Sequence, residues 1–167
     1  GMTIETITLA AKGGKTFVEM KMMGQSMQKI VFDGKDGYIM VQGQKQPLPA
    51  EVKENLSENK NIFPELDFNA KNTTLRGIEN MNGEEVYAVK KGNKTFFYSV
   101  KTGLKTGESE TQQMQGQEII VPTYYSDYKE VSGVKLPFKI SQNMGGIEMN
   151  FDVKSYEINK ATDKDFK

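Results

Sequence analysis

The side chains of this sequence that could do chemistry are carboxylates, lysines, tyrosines and hydroxyl groups. None of the 167 residues is Cys or His. Histidine is the usual general base near neutral pH, and structural zinc sites are built almost always from Cys and His. We therefore predict a chain without thiol chemistry, without a metal or cofactor site, and without histidine-dependent catalysis.

Paired carboxylates are the remaining catalytic pattern, because glycosidases work with two of them. Glu108 and Glu110 alternate along one predicted strand, as do Asp163 and Asp165 in an extended tail. Their neighbours are polar, so we interpret both pairs as residues of a solvated edge. A hydrolase that uses tyrosines or carboxylates is the least favoured of three functional hypotheses.

Three other local motifs have an ordinary structural interpretation. The acidic run at residues 33–37 resembles part of a calcium loop but lacks the later bidentate Glu, so we interpret it as turns. The two glycines between Lys12 and Lys15 predict a hairpin turn. Tyr124, Tyr125 and Tyr128 are typical of side chains that bridge core and water, with a platform for a sugar or aromatic ligand as the alternative.

The elements that must position these residues are predominantly strands. Apolar and polar residues alternate along most of the chain, and turn dipeptides such as Asp33-Gly34 and Asn82-Gly83 recur every 8–12 residues or so. This pattern predicts an antiparallel all-β meander with roughly ten or eleven strands.

One stretch departs from the strand pattern. Residues 49–60 carry apolar side chains at helical spacing, and residues 62–68 are apolar but include Pro64, which disfavours a central strand. We predict a helix followed by a segment that lies across the sheet, together forming a mobile lid. The lid residues are predicted to be Leu56, Ile62, Phe63, Leu66 and Phe68. In the polar tail, Phe166 either folds back as an anchor or belongs to a frayed end.

Several strands are apolar on both faces, and the chain contains ten methionines. Methionine suits surfaces that adapt to variable apolar partners, although ordinary core filling explains it as well. If a cavity exists, we expect it to be lined by Met20, Met22, Phe96, Tyr98, Met149 and Phe151. Alternation assigns these residues to strand faces without showing which face lies inside.

Composition excludes two kinds of partner. The chain has 22 basic and 22 acidic residues, so no basic excess points to a nucleic acid. No apolar run approaches the roughly 20 residues of a transmembrane helix. Gly1 before Met2 is interpreted as a remnant of recombinant expression, and we expect the natural protein to have a signal peptide that is absent here.

Four motifs resemble LolA-like domains, the lipoprotein-sorting-protein-like domains of the Bacteroidetes type. They are TYYSDYKEVSGVKLPFKI at residues 123–140, FDGKDGY at residues 32–38, the strand pair of residues 77–87 and the tail of residues 158–166. The resemblance implies one domain over residues 1–167: a strongly curved antiparallel sheet, or half-open β-barrel, with one or two short helices on its concave side. The family usually begins with an amphipathic helix, whereas this sequence opens with a predicted strand over residues 3–10, so we expect that the helix either was removed or is supplied by an upstream domain.

The same resemblance implies a periplasmic or outer-membrane-associated protein that binds an acyl chain or another apolar ligand, as a carrier or sensor. The alternative is a non-catalytic accessory domain of a larger envelope protein, such as an insulinase-type zinc protease homologue. This chain has no HxxEH element, so neither hypothesis makes it an enzyme.

Overall fold

The computed structural model describes residues 4–58, 60–114 and 117–167, and in these ranges the chain is mainly β. Its strands are β1 Ile4–Ala11, β2 Lys15–Met22, β3 Gln25–Phe32, β4 Gly37–Val41, β5 Gln44–Pro47, β6 Thr74–Met81, β7 Glu84–Lys91, β8 Lys94–Ser99, β9 Lys105–Met114, β10 Gln117–Val131, β11 Val134–Met144 and β12 Ile147–Asp152. Helix α1 spans Ala50–Glu58, and short 3-10 helices span Pro64–Asp67 and Asp163–Phe166.

The strands of the described ranges form two antiparallel sheets, neither of them closed into a barrel. The first sheet has the order β1-β2-β3-β4-β5, and the second has the order β12-β11-β10-β9-β8-β7-β6. The predicted class is confirmed as mainly β, with antiparallel sheets that do not close into a barrel. The meander is split in two because α1 and the proline-containing segment after it separate β5 from β6.

Packing divides the chain into two compact units. The first unit runs to Asp67 and takes in Asn159–Lys167, and the second unit is Phe68–Ile158. The first contains the five-stranded sheet with α1, and the second contains the seven-stranded sheet.

The core of the first unit lies where β3 meets β4. Val31 and Phe32 are buried, and Gly37 pairs with Phe32. A Cβ atom on Gly37 would lie 2.0 Å from the Val31 carbonyl oxygen and 2.8 Å from Leu48 Cδ1, so this position has no room for a side chain. Leu48 therefore packs on the same sheet face as Phe32, and the chain enters α1 from that face.

The tail completes this core. Phe166 is only 2% exposed, which confirms that it folds back as an anchor. The backbone N–H of Thr162 donates to Asp165 Oδ2 over 2.6 Å at the start of the last 3-10 helix, and Lys15 Nζ lies 2.5 Å from Asp163 Oδ1.

The core of the second unit uses both faces of its sheet. Val86, Ala88 and Ser99 are buried on one face, and Phe96 and Val121 are buried on the other. The hairpin turns predicted within the described residues are confirmed. Asn82 and Gly83, for example, both have positive φ, as the two central residues of a type I′ turn require.

The predicted helix is confirmed with slightly shorter bounds. Pro49 precedes the first turn, and Glu51 lies in that turn near the positive end of the helix dipole. After the helix, the Lys60 carbonyl accepts hydrogen bonds from the N–H groups of Gly13 and Gly14, which attach this end to the β1–β2 turn. In the described part of the chain, no helix has the length and apolarity to cross a membrane.

Candidate functional site

Four of the six predicted cavity residues lie on one face of the seven-stranded sheet, which we call the Phe96 face. Strand register aligns one residue from each strand into a single row across it. In sheet order from β6 to β12, that row is Leu75, Val89, Phe96, Glu108, Thr123, Gln142 and Met149. A second row on the same face contains Ile78, Tyr87 and Tyr98 at one end, and Tyr125, Ile140 and Phe151 at the other.

The β6–β8 end of the Phe96 face is an exposed apolar surface. We call Leu75, Ile78, Tyr87, Val89 and Tyr98 the β6–β8 patch. Leu75 is 63% exposed, Ile78 56% and Tyr87 40%. Single exposed apolar residues are normal on proteins, but a contiguous group of them is typical of a binding surface.

The β12 end of the same face is also apolar, and its residues are more covered. Met149 and Ile140 are half-buried, and Phe151 is 40% exposed. On the opposite face, the same strands carry the exposed polar residues Glu148 and Asn150. The two faces of the sheet are therefore clearly distinct in polarity at this end.

A polar belt crosses the middle of the Phe96 face, between its two apolar ends. Lys105 Nζ lies 3.3 Å from Glu108 Oε2, and Lys94 Nζ lies 3.8 Å from Glu110 Oε1. Their side chains are only 20–27% exposed. Beyond them, Gln142 Nε2 donates to Thr123 Oγ1 over 3.3 Å.

The belt corrects one interpretation of the sequence. Glu108 and Glu110 were expected on a solvated edge, but β9 is the central strand of the seven, and its carboxylates are paired with lysines. Alternation within β9 shows that the two carboxylates share a face. It cannot show how many strands lie on either side.

Lys105 connects the belt to the aromatic side chains. Its Nζ atom lies 4.8 Å from the centroid of the Tyr125 ring and 5.6 Å from that of Phe96, within cation–π range. Tyr128 donates its hydroxyl hydrogen to the Lys105 carbonyl over 2.5 Å, so this tyrosine supports the backbone of β9. Tyr124 lies on the opposite face and is 37% exposed, so the tyrosine cluster is divided between the two faces.

The other two predicted cavity residues belong to the first unit. Met20 and Met22 share one face of the five-stranded sheet with Val18 and Phe32, and we call it the Met20 face. Met20 is 38% exposed, and Met22 is half-buried. The opposite face carries charge, because Glu19 lies 3.4 Å from Lys21 and 3.7 Å from Lys29.

The predicted lid residues are largely exposed. Ile62 is 57% exposed, Phe63 42% and Leu66 73%, while Leu56 is half-buried. Phe68 is half-buried and packs on the Phe96 face, with its ring centroid 5.2 Å from that of Phe96. Phe68 is therefore the predicted lid residue that contacts the candidate site within the second unit.

Two hollows lie elsewhere on the molecule. One of about 210 Å³ is on the face opposite Phe96 and is lined by residues that include Met81, Phe97 and Tyr124. The other, of about 290 Å³, lies in the first unit beside Tyr38 and Phe166. None of the six predicted cavity residues lines either hollow, and both volumes are below the roughly 300 Å³ at which pockets for drug-sized ligands begin.

The acidic run that resembles a calcium loop is a hydrogen-bonded turn, as interpreted from the sequence. Asp33 Oδ1 accepts from the N–H groups of Lys35 and Asp36, each over 2.8 Å. The hydrogen bond from the Asp36 N–H contributes most, and that from the Lys35 N–H next, to lowering the pKa of the Asp33 carboxyl below its usual 3.8. Across residues 4–58, 60–114 and 117–167, no group of three or more acidic side chains is placed to hold a metal ion.

The comparisons with known proteins support the fold. No protein-family model and no curated protein matches the chain. Among solved structures it is similar to the LolA superfamily protein NE2245 from Nitrosomonas europaea, with a TM-score of 0.69 and 12% identity, covering 98% of this chain and 81% of that one. It is also similar to a DUF1329 family protein from Desulfovibrio piger ATCC 29098, with a TM-score of 0.59 and 11% identity, covering 99% of this chain and 81% of that one. The chain therefore has a LolA-like fold.

Proposed function

We propose that this protein is a non-catalytic, periplasmic carrier or sensor that binds an acyl chain or another apolar ligand on the Phe96 face. One observation supports this proposal above the others. An exposed apolar patch on β6–β8 adjoins a belt of half-buried charged and polar groups on the same sheet face.

The arrangement suits an amphiphile rather than a pure hydrocarbon. The apolar tail would lie along the β6–β8 patch, and its polar group would lie beside Lys105, Thr123 and Gln142. Burial of the tail stabilises the complex by about 0.8 kcal/mol per methylene. Ten buried methylenes would contribute about 8 kcal/mol, from which the ordering costs of binding are subtracted.

The proposal places the ligand on the open sheet face, because neither of the two hollows described above touches the β6–β8 patch. A tail that lies on an open sheet face keeps its outer side in water unless another part of the protein covers it. Phe68 is our candidate for part of this cover, because its ring already packs on Phe96, with the two ring centroids 5.2 Å apart.

Single charges placed on the two faces of the sheet test the proposal. Ile78→Asp puts a carboxylate in the patch, and Ile120→Asp puts one at a similarly exposed position on the opposite face, where Ile120 is 67% exposed. We expect Ile78→Asp to weaken the binding of a fluorescent fatty acid at least tenfold and Ile120→Asp to leave it unchanged. Met22→Asp tests in the same way whether the fatty acid binds to the Met20 face.

Two results would count against the carrier role. One is a wild-type protein that binds neither fatty acids nor lipopeptides, and the other is equal weakening by Ile78→Asp and Ile120→Asp. Circular dichroism of each variant shows whether the β fold is intact, so that unfolding is not mistaken for a loss of binding.

A second candidate function is a non-catalytic accessory domain of a larger envelope protein, such as an insulinase-type zinc protease homologue. The observation that favours it is the β6–β8 patch itself, because Leu75 and Ile78 leave neighbouring apolar side chains exposed that a protein partner could cover. A lack of lipid binding, combined with loss of association with a neighbouring domain in Ile78→Asp, would favour this role over the carrier.

A further inference from the structure

The four edge strands of the two sheets differ in how they are protected against pairing with other strands. Natural proteins protect edges with short strands, lysines, prolines or bulges. β5 is four residues long and contains Lys45 and Pro47, and β6 has a bulge between Leu75 and Gly77. β12 carries two acidic residues among its six.

β1 is the least protected of the four edge strands, with Glu5 as its single charged residue. Its sequence IETITLAA contains no proline and no lysine, and its register with β2 is continuous from Ile4 to Ala11. Within the described residues, β1 is hydrogen-bonded to β2 alone and forms the outer edge of its sheet. Ile4 is 60% exposed and Ile7 42%, so among the described residues side chains on both faces of this strand are exposed.

We propose that β1 is a self-association edge, where the β1 strands of two copies pair antiparallel about a two-fold axis. When this axis is perpendicular to the sheet, equivalent faces of the two copies point in the same direction. Residues that pair across it must therefore both be even-numbered or both be odd-numbered. The two five-stranded sheets would become one continuous sheet of ten strands.

The strand is complementary to itself in this geometry. With Thr8 on the axis, Thr8 pairs with Thr8 of the second copy, Ile7 with Leu9, and Thr6 with Ala10. Hydroxyl pairs and aliphatic pairs are among the stabilising cross-strand combinations. The only charged residue of the strand is Glu5, which then lies opposite Ala11 and never opposite itself. Moving the axis to Ile7 keeps the charges apart in the same way, because Glu5 then lies opposite Leu9.

We assign a second copy as the occupant of the edge, because the axis brings Thr8 to Thr8 and Ile7 to Leu9 while keeping the two Glu5 carboxylates apart. This inference is independent of the proposed ligand site, which lies on the other sheet. Either one can fail while the other holds.

Sedimentation velocity on the whole chain, from about 1 µM to about 1 mM, tests the proposal. We expect the mass to rise from 18.8 kDa toward twice that value as the concentration increases. The double variant Ile7→Lys with Thr8→Lys places like charges opposite each other in either register and is expected to weaken association at least tenfold. Asn150→Lys, on the β12 edge, is the control and should associate like the wild type. A wild type that stays monomeric at every concentration, or a double variant that associates equally well, would overturn the proposal.

The absence of cysteine from the sequence allows a direct reading of register. A variant with one cysteine can form a disulfide only with a second copy, and paired residues have their Cβ atoms about 4.5–5.5 Å apart. We expect Thr8→Cys or Ile7→Cys to cross-link on mild oxidation, according to the register, and Lys101→Cys in an exposed turn to stay monomeric. Failure of both β1 variants to cross-link, or equal cross-linking through Lys101→Cys, would contradict pairing at this edge.

Discussion

Removal of the Phe166 ring is the sharpest test of the first unit's packing. The side chain is 2% exposed and lies beside Val31 and Tyr38, so Phe166→Ala leaves a cavity at the point where the tail joins the sheet. Large-to-small changes of buried phenylalanine cost about 3–5 kcal/mol. We expect the lower end, about 3 kcal/mol, because Phe166 lies in a four-residue 3-10 helix whose surroundings can relax.

That loss corresponds to a fall in Tm of roughly 6–12 °C for a protein of this size. The assay is thermal and urea unfolding followed by circular dichroism, since the chain has no tryptophan. Phe151→Ala is the matched control, because Phe151 is 40% exposed and should cost no more than about 1 kcal/mol. If Phe166→Ala were no more destabilising than Phe151→Ala, the tail would not be the anchor that its burial indicates.

Three further predictions follow from individual contacts. Gly37→Ala should destabilise the fold by more than Gly43→Ala. A Cβ atom at Gly37 would meet Val31 and Leu48, whereas nothing lies within 4 Å of one at Gly43, where φ is +82°. Equal midpoints of urea unfolding for the two variants would contradict this. Folding lowers the pKa of the Asp33 carboxyl below its usual 3.8, so the carboxylate should stabilise the fold fully above pH 3.8. This stabilisation should be lost as the pH falls through the folded-state pKa. Asp33→Asn should therefore make the unfolding free energy depend less on pH in acid. An unchanged slope would show that this carboxylate has no such role. Backbone amides of residues 49–68 should exchange before those of β10 and β11, since α1 has no buried residue, and equal protection would refute a lid.

Much of the fold follows from local patterns in the sequence. Period-two alternation indicated the strands, and dipeptides such as Asn82-Gly83 marked the turns because their backbone must adopt positive φ. The helical spacing before Leu56 indicated α1. These features depend on neighbouring residues, which a single sequence displays directly.

The site depended on information that local patterns do not contain. Alternation placed Phe96 with Tyr98, and Met149 with Phe151, but only strand order and register show that Phe96 and Met149 lie in one row. The same lack of strand order led to Glu108 being assigned to a solvated edge and not to the middle of the sheet. The polar belt was missed for that reason.

The central claim is that the Phe96 face binds apolar chains, and a chain-length series of saturated fatty acids tests it most directly. Calorimetric titration of the wild-type protein should give an affinity that rises about fourfold per added methylene, the equivalent of 0.8 kcal/mol, until the tail outgrows the apolar surface. The same series with Ile78→Asp should show a weaker dependence on length, because its carboxylate interrupts the patch. An affinity independent of chain length, or no heat at any length, would contradict the claim.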